Sequence, residues 1–152
     1  MSKQAFYQTL AEQAKSLTEG EPNVIANMAN LSALLFMSLE DINWAGFYLI
    51  DNPEQLVLGP FQGNPACIRI PVGKGVCGTA ASLKETQLVA DVHAFAGHIA
   101  CDAESNSEIV VPIIKDGKIY AVLDIDSPSL SRFDEEDKAG LETLIRQFET
   151  QV

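Results

Sequence analysis

The chain has 152 residues, 47% of them hydrophobic, and a formal net charge of −11. Its length suits one globular domain, residues 1–152, and its acidity argues against nucleic acid or an anionic membrane as partner. No apolar run approaches bilayer length and no signal-like segment opens the chain, so the expected location is cytoplasmic.

Phe6, Leu10, Ala14 and Leu17 form a helical stripe over residues 4–18, with Gly20 as a stop. Pro22 suits the first turn of a second helix, whose core face reads Ile25, Met28, Leu31, Leu35 and Leu39. Neither helix carries chemistry; packing on a sheet, with some subunit contact, is the expected role. Residues 42–50 are rich in aromatic and branched side chains and read as a strand. Its period of two puts Trp44, Gly46 and Tyr48 on one face, and Ala45, Phe47 and Leu49 on the other. The first face offers a shallow aromatic slot for a small ligand. A turn at 51–54 leads into a paired run at 55–58, and 59–67 reads as loop.

After a short strand at 68–71 comes Gly73-Lys74-Gly75-Val76-Cys77-Gly78, a literal dinucleotide-binding fingerprint. That motif requires alternating strands and helices, whereas 109–114 and 118–126 read as strands joined by the hairpin signal Lys115-Asp116-Gly117. The glycines therefore read as a tight turn and a helix start whose N–H groups face a ligand or a thiolate. Residues 91–108 form a long loop ending in the small, polar stretch 97–108, which holds His98 and Cys101. In the last strand, Ile119, Ala121, Leu123 and Ile125 read as the core face, and Tyr120, Val122, Asp124 and Asp126 as the other. Two carboxylates side by side repel unless a cation lies between them; the alternative is an exposed strand end. Asp134 caps a closing helix with Leu141, Leu144, Ile145 and Phe148 on its core face.

These elements make an α+β domain: a central, mostly antiparallel sheet with the N- and C-terminal helices packed on one side. Three cysteines, an odd number without dense spacing, do not form a secreted disulfide framework. A zinc site from Cys67, Cys77, Cys101 and His98 has suitable ligand types, but the cysteines fall 10 and 24 residues apart rather than in close pairs. Hydrolysis by a Cys101–histidine pair is conceivable, although nothing marks an oxyanion hole. Redox chemistry fits best, because a sulfenic acid needs a second thiol to resolve it.

The runs Gly59-Pro60-Phe61-Gln62-Gly63, Ala66-Cys67, Gly73 to Gly78, Gly97-His98-Ile99-Ala100-Cys101-Asp102 and Ser105 to Pro112 resemble the free methionine-(R)-sulfoxide reductases, a branch of the GAF-domain fold. The match covers nearly the whole chain in register. The resemblance implies a single GAF-like domain over 1–152, with Cys101 as nucleophile, Cys67 as main resolving thiol and Cys77 as an auxiliary one. It implies a substrate pocket that includes Trp44, Tyr48, Glu108, Asp124 and Asp126. The expected partners are free methionine sulfoxide and a thioredoxin-like reductant, with a homodimer as an option and no cofactor or metal. The competing expectation is a GAF-type module that senses a small molecule without reacting.

Overall fold

A computed structural model describes every residue of the chain except Ala100 and Asp102. Those two positions of the 97–108 stretch lie outside the described residues. Among the described residues, four α-helices and six strands follow in the order α1 (Lys3–Thr18), α2 (Val24–Ser38), β1 (Trp44–Asn52), β2 (Gln55–Gly63), β3 (Arg69–Pro71), α3 (Gly75–Leu83), β4 (Gln87–Val89), β5 (Ser107–Lys115), β6 (Lys118–Ser127) and α4 (Glu135–Glu149). A 3-10 turn at Val92–Ala94 interrupts the long loop. The strands make one sheet in the order β3-β2-β1-β6-β5-β4, with every neighbouring pair antiparallel. This is the expected α+β architecture.

Two apolar clusters lie on opposite faces of the sheet. Ala45, Phe47, Val111, Ile113, Leu123 and Ile125 face α1, α2 and α4. Trp44, Tyr48, Val110 and Val122 face α3 and the loops. The alternation in β1 sorts as the sequence requires, because each pleat sends successive side chains to opposite faces. The turn after β5 has positive φ at both Asp116 (53°) and Gly117 (75°), the two-residue hairpin geometry that matches strand twist.

Several details differ from the periodicity. In α1 the buried set is Tyr7, Leu10, Ala14 and Thr18, while Leu17 is exposed. The stripe is displaced because Tyr7 donates its hydroxyl to buried Asp137 Oδ1 at 2.6 Å, a partner 130 residues away. Ile25 of α2 is exposed, and that helix starts after an Asn23 cap, leaving Pro22 outside its first turn. A bulge between Ile113 and Ile114 exchanges the faces at the start of β6: Ile119 packs with the α3 side and Tyr120 with the other. Residues 59–63, read as loop, continue β2, and Pro60 is tolerated there because β3 pairs only with Gln55, Leu56 and Val57.

Candidate active site

Strand register assembles the site. β5 and β6 place Glu108 opposite Asp126 and Val110 opposite Asp124, while β6 and β1 place Asp126 opposite Trp44 and Asp124 opposite Gly46. Directly opposed residues have Cβ atoms ~4.5–5.5 Å apart, so three carboxylates converge with an indole beside them. Trp44, Tyr48, Cys77, Cys101, Glu108, Asp124 and Asp126 line one cavity between this sheet face, α3 and the 97–108 loop. Asp124 is buried and Asp126 half-buried, which rules out the exposed strand end. Gly75 ties the loop to α3: its N–H donates to Gly97 O at 3.1 Å, at a φ of 66° that suits glycine. The helix-start N–H thus serves loop placement.

Cys67 and Cys101 are joined in a disulfide with Cα atoms 5.3 Å apart. Two of the four ligands of the Cys67, Cys77, Cys101 and His98 zinc alternative are therefore bonded to each other. Cys77 is free and buried at the start of α3, its thiol donating toward Glu108 Oε2 at 3.9 Å. His98 lines the cavity and packs edge-on against His93, which contacts Asn106 Oδ1 through Nε2 at 3.0 Å.

The aromatic pair does more than the slot expected of it. Phe61, on β2 opposite Gly46, stacks on Trp44 with ring centroids 5.1 Å apart, and Tyr48 also stacks on Trp44 at 5.9 Å. Gly46 is required here, since a Cβ would overlap Phe61. The polar tips of the two rings hold the segment that carries Cys67. Trp44 Nε1–H donates to Asn64 O at 3.0 Å, and Tyr48 O–H donates to Cys67 O at 2.9 Å. Sequence reasoning missed Phe61 as the support behind Trp44; its signal was a glycine facing it across a hairpin.

Electrostatics singles out Glu108 among the acids. Burial pushes the Glu108 carboxyl well above the usual carboxylate range, and the charges of Asp124 and Asp126 push it the same way. Burial also raises the Cys77 thiol, with Asp124 and Glu108 adding to it. Burial raises the Tyr48 phenol, so its hydroxyl remains a donor. His98 is lowered by burial and then by His93, which favours a neutral ring. Burial in this site therefore favours the protonated form of Glu108 and the neutral thiol of Cys77.

Residues 3–152 match the GAF domain family. Fold and site together define a GAF domain whose ligand cavity carries a cystine. Free methionine-R-sulfoxide reductase of Escherichia coli is 54% identical over 98% of this chain and 90% of its own length. The structure of fRMsr of Staphylococcus aureus in complex with substrate shares 59% identity and a TM-score of 0.90, over 95% of this chain and 94% of that one. Free methionine-R-sulfoxide reductase from Neisseria meningitidis, also in complex with its substrate, shares 44% identity and a TM-score of 0.95, over 99% and 90%. The chain belongs to the free methionine-(R)-sulfoxide reductase family.

Proposed function

We propose that this protein reduces free L-methionine (R)-sulfoxide to methionine through Cys101. The observation that carries the reading is the Cys67–Cys101 disulfide, whose Cys101 lines an acidic, aromatic-walled cavity. The Cys101 thiolate attacks the sulfoxide sulfur, and Glu108, held protonated by burial and its aspartate neighbours, gives its proton to the oxygen. The oxygen passes to Cys101 as sulfenic acid while methionine leaves, so sulfur in the substrate is reduced as the thiol is oxidised. The Cys67 thiol then displaces water from the sulfenic acid and forms the disulfide. A thioredoxin-like dithiol protein reduces it by exchange, itself becoming oxidised. Such a cycle belongs in a reducing compartment, which supports a cytoplasmic location. No described helix is long and apolar enough to cross a membrane.

Asp124 and Asp126 hold the α-ammonium, and Trp44 and Tyr48 wall the side chain, with Phe61 backing the Trp44 ring. Residues 1–152 act as one GAF-like domain. For a homodimer, the outer face of α2 is the suitable surface, because that helix has no charged residue and exposes Ile25 and Met37 on a chain of net charge −11.

The test compares free with N-acetylated methionine sulfoxide on the reduced protein. Acetylation removes the ammonium, and a lost charge-assisted hydrogen bond costs ~1.5–3 kcal/mol, or roughly ten- to a hundred-fold in kcat/KM. Methionine release from the free substrate with a matching Cys67–Cys101 disulfide is expected. Equal kcat/KM for both substrates would remove the carboxylate assignment, and no release from either would remove the function.

A further inference from the structure

The cavity floor carries a donor set that the reductive cycle does not use as a set. Cys77 Sγ and one carboxylate oxygen each of Glu108 and Asp124 lie within 4.8 Å of one another. The three residues are only 4%, 8% and 5% exposed. Asp124 Oδ1 is buried with no partner of hydrogen-bond geometry among the described residues, while the Asp124 side chain interacts with both Cys77 and Glu108.

We propose that Cys77, Glu108 and Asp124 form a binding site for a borderline-soft divalent cation, Zn²⁺ or Cd²⁺, whose occupation excludes the amino-acid substrate. A sulfur donor with two carboxylates selects such ions over Mg²⁺ and Ca²⁺, which take oxygen ligands. Zn–S of ~2.3 Å and Zn–O of ~2.0–2.2 Å put sulfur and oxygen about 3.6 Å apart in a tetrahedral site. Cys77 Sγ and Glu108 Oε2 stand 3.9 Å apart, within a few tenths of an ångström of that requirement. Three protein ligands leave a fourth position open to the cavity, the arrangement of an exchangeable site rather than a closed structural one. The exclusion of substrate rests on the assignment of Asp124 to the substrate ammonium; the site itself does not.

The test uses the oxidised protein, in which Cys67 and Cys101 are bonded to each other and Cys77 is the remaining thiol. Titration with Cd²⁺ should produce a thiolate-to-metal charge-transfer band that saturates at one equivalent, and Zn²⁺ should bleach it. Asp124→Asn and Glu108→Gln should each weaken Cd²⁺ binding roughly ten- to a hundred-fold, and Cys77→Ser should remove the band. Absence of the band from wild-type protein overturns the site, as does a band that persists in Cys77→Ser. Free methionine sulfoxide should raise the Cd²⁺ concentration needed for half-saturation. A Cys77-dependent band that substrate does not shift would leave the site standing and overturn the exclusion. Neither measurement involves turnover, so failure of the site and failure of the reductase reading are separately visible.

Discussion

Tyr48→Phe isolates a role that the fold gives to a hydroxyl. The substitution keeps the ring stacked on Trp44 and deletes only the donor to Cys67 O. The segment between β2 and β3 that bears Cys67 is held at two points, Asn64 O by Trp44 and Cys67 O by Tyr48. Releasing one removes a neutral hydrogen bond worth ~0.5–1.5 kcal/mol net. If that energy is what keeps the Cys67 sulfur against Cys101, the fraction of molecules poised to resolve a sulfenic acid falls about two- to ten-fold. The attack of Cys101 on the substrate does not pass through this bond and should be spared.

A quenched single-turnover experiment separates the two steps. Methionine is measured in the supernatant, and disulfide by mass spectrometry of the protein. Methionine release should stay within about twofold of wild type, while disulfide formation slows about two- to ten-fold. The reasoning is refuted if methionine release slows ten-fold with the following step unchanged. That outcome would assign the hydroxyl to the substrate rather than to the Cys67 segment.

Glu108→Gln should leave stability unchanged at pH 4 and raise it progressively above wild type as the pH climbs beyond 4.5, read as urea midpoints. The buried acid binds its proton more tightly in the fold than in the unfolded chain, whose ordinary value is 4.5, so wild-type stability is lost as pH rises toward the folded value. Asp137→Ala should cost about 3 kcal/mol in urea unfolding, because this 1%-exposed carboxylate accepts from Tyr7 Oη at 2.6 Å, Lys3 Nζ at 2.9 Å and the Asp134 N–H at 2.9 Å. A loss below about 1 kcal/mol would show that the network is solvated and weak.

The sheet was legible where side-chain alternation alone sets the face. Trp44, Tyr48, Asp124 and Asp126 all lie on the face that the period of two predicts. The reading failed at Ile119 and Tyr120 because a bulge inserts a residue, which periodicity has no means to register. It failed at Tyr7 because the force that turns α1 is a hydrogen bond to a residue in α4. At 59–63 it failed because glycine and proline are turn signals, except on an edge that no neighbouring strand covers. The carboxylate pair was visible in one strand. Its completion by Glu108 depends on register between two strands, and the upward shift of the Glu108 carboxyl depends on burial. The second use of Trp44 and Tyr48, as anchors for the Cys67 segment, had no sequence signal: hydrogen bonds to backbone carbonyls ignore the identity of the residue that accepts them.

The burial that raises the Glu108 carboxyl also raises the Cys77 thiol, and on the proposed cycle this disfavours Cys77 as the resolving thiol. Cys77 sits under the cavity, and its ordinary thiol value of 9.0 is raised first by desolvation and then by Asp124 and Glu108. Thiolate is the attacking form, and each unit of pKa above ambient pH removes about ten-fold of it. Cys67 lies in a loop segment with its Cα 5.3 Å from that of Cys101, whereas the Cys77 sulfur is buried beside carboxyl groups that disfavour its charge. Cys67→Ser should therefore release one methionine per chain at the wild-type rate and then accumulate Cys101 sulfenic acid. Any Cys77–Cys101 disulfide should follow slowly, faster by about ten-fold per pH unit from 7 to 9, because the thiolate fraction of a raised thiol grows over that whole range without levelling. Trapping the sulfenic acid with a 1,3-dione and counting disulfide at each pH measures both quantities. A Cys77–Cys101 bond that forms as fast as the wild-type Cys67–Cys101 bond at pH 7 would show that Cys77 is not held neutral. Cys101→Ser, which removes the attacking sulfur, should release no methionine at any pH.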